Sequence, residues 1–139
     1  TLTGMANTDV TLETITRVLR THPRVRAAWV FGSIADGRVR PSSDLDVAVL
    51  GDEPLQAEQK SVLIRRLARA IGRPVDLVDL QATHGPVVGE ILRHGRRLFC
   101  DDPALYAEQV KQWMFDRADW IPYRQRIVET RRRTWINEL

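Results

Sequence analysis

The apolar and polar positions of the chain follow two different periods, which predict helices and strands. Leu12, Ile15 and Leu19 follow a helical spacing and predict a first helix over residues 9–21. A second helical stripe farther along ends at Gly72, a residue type that commonly terminates helices. Shorter apolar runs bounded by turn residues predict strands. These runs are RAAWVFGS (26–33), DLDVAVL (44–50), PVDLVDL (74–80) and RRLFC (96–100).

The order of these elements predicts a mixed α/β (α+β) fold with a small β-sheet. A short helix is predicted over PVVGEILRHG (86–95), between the third and fourth strands. From Pro103 onward the pattern is helical, with an interruption at Pro122 because proline cannot continue a regular helix. The sequence shows no repeat, low-complexity segment or linker. Residues 1–139 are therefore predicted to form one domain, with a helical C-terminal segment over about 103–139.

The composition is that of an ordinary globular protein. The chain has 139 residues, of which 43% are apolar and 28% are charged. No apolar run approaches the ~20 residues that span a bilayer, and the first residues do not resemble a secretory signal. Its single cysteine, Cys100, excludes an internal disulfide framework and is compatible with a reducing compartment. We therefore expect a cytoplasmic protein without a membrane association.

Two aspartates, Asp44 and Asp46, interrupt an apolar strand. Because side chains alternate along a strand, both carboxylates are expected on one face, roughly 7 Å apart. Like charges on a half-buried surface repel each other and lose solvation, so a positive group must offset them. Carboxylate oxygens suit hard divalent cations, and Mg²⁺ held in this way commonly bridges to substrate phosphates. Asp44 and Asp46 are therefore candidate Mg²⁺ ligands.

Gly32 and Ser33 stand at the end of the first predicted strand, where the chain turns. Glycine lets a phosphate approach the backbone closely, and the serine hydroxyl adds a donor. A third carboxylate on a neighbouring strand would complete the site, and PVDLVDL offers Asp76 or Asp79. These two are three residues apart, so a regular strand sends them to opposite faces. Hydrophobicity does not decide between them, although Asp79, near the strand end, is well placed to cap the next turn.

The pattern Gly32-Ser33, ten residues, Asp44-x-Asp46 resembles the signature of the DNA polymerase beta-like nucleotidyltransferase superfamily. The resemblance runs from AAWVFGS through VDLVDL to LRHGRRLFCDD. The small size of the chain is similar to the minimal nucleotidyltransferase (MNT) branch, many of whose members are antitoxins paired with a HEPN-domain ribonuclease toxin.

The resemblance implies a polymerase-beta-like fold, which is a small mixed β-sheet flanked by helices, and the use of Mg²⁺ and ATP. It also implies transfer of AMP to a tyrosine hydroxyl of a cognate HEPN toxin, which would be bound in a hetero-oligomer. By motif position, Gly32 and Ser33 bind the nucleotide phosphates. Asp44 and Asp46 hold the metal. Asp76 corresponds to the third carboxylate, which lies early in its strand in the family, and it is expected both to bind metal and to help activate the acceptor hydroxyl.

One departure from the family pattern leaves other functions open. Relatives often carry a basic residue in the turn after Gly-Ser, where this chain has Asp36. A non-catalytic antitoxin that acts by binding and occlusion is therefore an alternative. A small-molecule nucleotidyltransferase of the aminoglycoside-modifying kind is another, but some 35 residues after Pro103 are few for an acceptor domain. Direct nucleic-acid binding is not expected, because no recognition module is visible.

The C-terminal residues contain the excess of positive charge. Residues 111–139 hold seven Lys or Arg against four Asp or Glu, and they include Trp120, Trp135, Arg131 and Arg132. Tryptophan and arginine are enriched at the centres of protein interfaces, so these four residues are candidates for partner binding. The alternative is that the C-terminal aromatic residues cover the domain's own sheet.

Overall fold

The computed structural model of the chain describes residues 2–32 and 44–116, and the side chains among them from residue 11 onward. Helices and strands in these residues follow the predicted order. They are α1 (Leu2–Arg20), β1 (Val25–Phe31), β2 (Leu45–Gly51), α2 (Ala57–Ile71), β3 (Val75–Asp79), α3 (Pro86–His94), β4 (Arg96–Cys100) and a last helix, α4, described over 103–116.

The four strands form one mixed sheet in the order β3-β2-β1-β4. Strand β1 lies in the middle and is antiparallel to both β2 and β4, whereas β2 is parallel to β3. The parallel connection runs through α2, as a parallel pair requires a crossover. The prediction of a small mixed sheet flanked by helices is confirmed.

Successive residues of the central strands belong alternately to two apolar clusters, one on each face of the sheet. In β2, Val47 and Val49 face a cluster that includes residues of α1 and α2, whereas Ala48 and Leu50 face the other cluster. Buried residues of the first cluster include Ile15, Leu19, Leu63, Leu67 and Leu77. The second cluster contains Trp29, Leu80, Val88 and Ile91, and it is partly covered by Leu105, Tyr106 and Trp113 of α4. We call these the α1/α2 face and the α3/α4 face.

Local hydrogen bonds explain where several helices begin and end. Gly72 ends α2 in the left-handed conformation (φ 69°), and its N–H donates to the carbonyl of Ala68 at 2.8 Å. The Oδ1 atom of Asp102 accepts the N–H of Leu105 at 3.1 Å, so Asp102 caps α4. Helix α1 is longer than predicted, because it begins at Leu2 rather than at residue 9.

The structure also modifies one detail of the predicted site. Strand β2 begins at Leu45, so Asp44 immediately precedes the strand instead of lying in it. Within residues 2–32 and 44–116, no helix is both long and apolar enough to cross a membrane. The predictions for Pro122, Trp120 and Trp135, and for Arg131 and Arg132, fall outside the described residues.

Candidate active site

Asp46 and Asp76 lie directly opposite each other on the parallel strands β2 and β3. Asp46 alternates with Ala48 and Leu50, which belong to the cluster on the α3/α4 face. Asp76 precedes Val78, a residue packed against the same cluster, by two positions. Because every second side chain of a strand lies on the same face, both carboxylates lie on the α3/α4 face.

The pKa of Asp46 is consistent with this placement of the carboxylates. Burial raises the pKa of the Asp46 carboxyl, and the negative charges of Asp76 and Asp44 raise it further. Asp46 is half-buried, whereas Asp44 and Asp76 are exposed. The structure therefore places Asp44 and Asp76 near enough to Asp46 for their charges to act on its carboxyl, and Asp46 is the least accessible of the three.

Asp79, the other candidate on β3, has a different environment. It shares the α1/α2 face with Leu77 and is 5% exposed. Its carboxylate accepts the N–H of Leu55 at 2.7 Å and the N–H of Gln81 at 3.0 Å. Both oxygens are therefore occupied by backbone donors. Asp79 anchors the segment that leads into α2 to the end of β3 and does not face Asp46.

Gly32 adopts a positive φ of 70° directly after β1. A Cβ atom added at this position would collide with the Asp46 side chain, at its Oδ2 atom. The backbone conformation therefore favours glycine, and any larger residue would also require the Asp46 carboxylate to move. Ser33, the second predicted phosphate-binding residue, and Asp36 lie outside the described residues.

The sequence pattern does not single out Phe31, although it lies next to the aspartates. Phe31 pairs with Asp46 across β1 and β2 and packs at the border of the α3/α4 cluster. Its side chain is half-buried and lies on the same face of the sheet as that of Asp46. The only sequence signal for it was its position immediately before Gly32.

The chemistry of this donor set fits a divalent cation. Carboxylate oxygens are hard ligands of the kind that Mg²⁺ prefers, and a cation would offset the negative charge that raises the pKa of Asp46. Among the described residues, however, no three Asp, Glu, His or Cys side chains converge closely enough to form a metal-binding group. The three aspartates thus supply suitable ligands on neighbouring elements, without forming a closed coordination sphere.

Comparisons with known proteins agree with this geometry. The family model described as "Polymerase beta, Nucleotidyltransferase" matches residues 13–104. The protein adenylyltransferase MntA of Shewanella oneidensis is 31% identical over 86 residues, which cover 61% of this chain and 62% of that protein. The matched segment thus spans less than two thirds of this relative.

Solved structures are similar over a larger part of the chain. A toxin–antitoxin complex with AMP-PNP contains a chain that is 27% identical, with a TM-score of 0.69 and coverage of 85% of this chain and 95% of that one. A complex of tri-AMPylated Shewanella oneidensis HEPN toxin with MNT antitoxin matches at 25% identity and a TM-score of 0.66, over 88% and 96% of the two chains. The match to the family model covers all four strands of the sheet, including β2 and β3 with Asp46 and Asp76. This chain therefore belongs to the polymerase beta nucleotidyltransferase family.

Proposed function

We propose that the protein is an antitoxin that transfers AMP from ATP to a tyrosine hydroxyl of a HEPN-type ribonuclease toxin and thereby neutralises it. The observation that supports the catalytic part most directly is the pairing of Asp46 with Asp76, together with the raised pKa of Asp46. Neighbouring carboxylates on a half-buried surface are unfavourable for folding, and such groups concentrate at functional sites.

In the proposed site, Gly32 and Ser33 bind the nucleotide phosphates, and Asp44, Asp46 and Asp76 hold Mg²⁺. When bound, the cation neutralises charge on the phosphates and on the departing pyrophosphate. Phe31 excludes water from one side of Asp46, since its half-buried ring lies at the neighbouring register position.

The proposed reaction is an in-line displacement at the α-phosphorus of ATP. The tyrosine oxygen forms a bond to this phosphorus, and the bond to the bridging oxygen breaks, so that pyrophosphate leaves. The hydroxyl proton passes to the Asp76 carboxylate. Asp76 suits this role because it is exposed, whereas the half-buried Asp46 is shielded by its neighbours.

The proposed partner comes from the relatives. MntA of Shewanella oneidensis is named a protein adenylyltransferase, and a similar structure contains a tri-AMPylated HEPN toxin bound to its MNT antitoxin. The proposal for this chain is a corresponding hetero-oligomer. Its acceptor would be encoded beside it, and an Arg-x(4–6)-His motif in that neighbour would identify it as a HEPN protein.

The experiment combines the purified chain, its neighbouring gene product, Mg²⁺ and ATP labelled in the α-phosphate. Label is expected on the partner protein, and peptide mapping is expected to locate it on a tyrosine. The same reaction with ATP labelled in the γ-phosphate is the control and should leave the protein unlabelled. Neutralisation of the toxin by a variant that carries Asp44→Asn and Asp46→Asn, without any label, would instead favour the occlusion alternative.

A further inference from the structure

Four arginines line a shallow groove between helix α1 and the edge strand β4. They are Arg17 and Arg20 of α1 and Arg96 and Arg97 of β4. We call this the arginine groove. All four side chains are exposed. We infer that the arginine groove binds an acidic segment of the protein that accepts AMP, an inference that rests on the proposed function for the nature of its partner.

The charge of the arginine groove is largely unbalanced. Arg20 forms an ion pair with Asp101 at 3.3 Å, but Arg17, Arg96 and Arg97 form none with any other residue of the described ranges. Glu13 is the acidic residue in the groove lining. A concave surface with several guanidinium groups attracts carboxylates and binds them in a directional way, often with two parallel hydrogen bonds.

One guanidinium group of the groove is held in place by an aromatic ring, since Arg20 lies over the ring of Phe99 at 4.5 Å. The guanidinium of Arg97 instead lies over the ring of Tyr106 at 5.7 Å, on the α3/α4 face and thus on the other side of the sheet from α1. Side chains that are already ordered lose less entropy when they bind a partner. The groove is thus partly preorganised for an anionic ligand.

These contacts also favour a protein over a nucleic acid as the occupant. Single-stranded nucleic acids bind through phosphates and through bases that stack on aromatic side chains. Here the aromatic ring beside the groove, that of Phe99, is covered by Arg20 itself. The groove lining further includes Leu12, Leu98 and the acidic Glu13. This mixture of charged and apolar groups suits a peptide with alternating acidic and apolar residues.

The arginine groove is expected to bind the acidic segment through side chains, and not by pairing β4 with a strand of the partner. Strand β4 is an edge strand among the described elements, but its register with β1 shifts between Ala28 and Trp29, where Leu98 is the extra residue of a bulge. Bulges at sheet edges interrupt the row of backbone groups that another strand would need. The guanidinium groups therefore dominate recognition.

The groove lies at the same end of the sheet as the candidate active site. Val30 pairs with Arg96, and the next residue, Phe31, pairs with Asp46. The groove opens on the α1/α2 face, because α1 forms one of its walls, whereas Asp46 and Asp76 lie on the α3/α4 face. Two strand spacings, about 10 Å, separate β4 from β2. An acceptor protein that reaches the aspartates could thus place an acidic segment in the groove by extending around this end of the sheet.

A binding measurement tests the groove without the partner. A fluorescein-labelled peptide of alternating Glu and Leu is titrated with the full chain at low and at physiological salt, and fluorescence anisotropy is recorded. The double variant Arg17→Glu/Arg96→Glu is expected to weaken binding about tenfold or more, which corresponds to about 1.4 kcal/mol. The control variant Arg65→Glu/Arg69→Glu reverses two exposed charges on α2 and is expected to bind as the unmodified chain does.

Two comparison probes make the result decisive. The same peptide with Lys in place of Glu is expected not to bind, and a single-stranded oligouridylate of equal charge is expected to bind more weakly than the acidic peptide. Absence of binding to the acidic peptide, or equal losses in both double variants, would overturn the inference. Tighter binding of the oligouridylate through the same arginines would replace it with a nucleic-acid site.

The transfer reaction separates this inference from the proposed function. If AMP is transferred, Arg17→Glu/Arg96→Glu is expected to raise KM for the protein acceptor while KM for ATP stays unchanged. Transfer with an unaltered KM for the acceptor would refute the groove and leave the function standing. If the unmodified chain transfers no AMP at all, the proposed function fails, and the peptide titration still decides whether the groove binds acidic segments.

Discussion

Asp46 and Asp76 lie opposite each other on two parallel strands, and the pKa of the Asp46 carboxyl is raised by burial first and then by the charges of Asp76 and Asp44. Two acids at opposed register positions destabilise a sheet unless a third charge offsets them. The relationship connects the fold to the proposed chemistry, because a bound cation would relieve the same repulsion that destabilises the protein.

Asp76→Asn is expected to decrease AMP transfer by about 10²–10⁴-fold, because the amide cannot accept the proton of the attacking hydroxyl. Folding and partner binding are expected to persist, since Asp76 is exposed. Incorporation of label from α-labelled ATP measures the effect.

Asp79→Asn is the matched comparison from the same strand. It replaces an oxygen that accepts a backbone N–H, so it is expected to lower the free energy of unfolding by about 1–3 kcal/mol. The folded fraction should transfer AMP normally. An inactive Asp79→Asn protein beside an active Asp76→Asn protein would reverse the assignment.

Asp46→Asn is expected to stabilise the folded chain at neutral pH, by about 0.2–1 kcal/mol, while it abolishes activity. The folded-state pKa of Asp46 is raised, so the stabilising contribution of its protonated form is present below the unfolded-state pKa and is lost as the pH rises through the folded-state pKa. The difference in the free energy of unfolding between Asp46→Asn and the wild type should therefore be small in acid and increase toward neutral pH.

Denaturant titrations of the wild type and Asp46→Asn over a series of pH values, without divalent cations, measure this difference. Asp52→Asn is a suitable control, because Asp52 is exposed and forms an ion pair with Arg26 at 3.4 Å. Asp52→Asn is expected not to raise the free energy of unfolding at neutral pH. A stability difference between Asp46→Asn and wild type that does not vary with pH would contradict the electrostatic explanation.

Gly32→Ala is expected to cost more stability than Gly72→Ala, although both glycines have nearly the same positive φ, 70° and 69°. The backbone strain of about 1–2 kcal/mol is common to both substitutions. Only at Gly32 does the new methyl group collide with Asp46, whereas nothing lies within 4 Å at Gly72. Thermal unfolding compares the two variants. Equal losses of stability in the two variants would show that the Asp46 carboxylate moves away from the new methyl group at little cost.

Gly89→Ala is expected to disturb the packing of α4 on α3. A Cβ atom at Gly89 would lie 2.7 Å from Cζ2 of Trp113, whose indole is also covered by Arg93 at 5.0 Å. Overpacking of this kind costs about 1–3 kcal/mol and should change the tryptophan fluorescence. A second substitution, Trp113→Leu, makes room for the methyl group and is expected to recover part of the stability. Failure of this rescue would point to a different origin of the loss.

Trp135→Ala is expected to weaken binding of the toxin partner and to leave the circular dichroism spectrum unchanged. This prediction is based on the sequence, because Trp135 lies outside the described residues. Co-purification with the partner measures binding. A collapse of the spectrum would instead assign Trp135 to the core of the domain.

Much of the fold followed from patterns of neighbouring residues. The spacing of Leu12, Ile15 and Leu19 predicted α1, and the apolar runs predicted all four strands, because burial of one face imposes a period on a helix or a strand. The prediction began at residue 9 and did not include residues 2–8, which the structure places in α1.

The sequence by itself determined that Asp44 and Asp46 need an offsetting charge and that Asp76 and Asp79 cannot share a face, because alternation along a strand is a local property. Only the tertiary structure decided whether Asp76 or Asp79 lies beside Asp46. The register of β2 and β3 places Asp76 opposite Asp46, and the backbone N–H groups of distant segments occupy Asp79. The catalytic role of Asp76 stays a prediction. Pairings between segments some thirty residues apart depend on how both strands pack against the helices, and no local pattern contains that information.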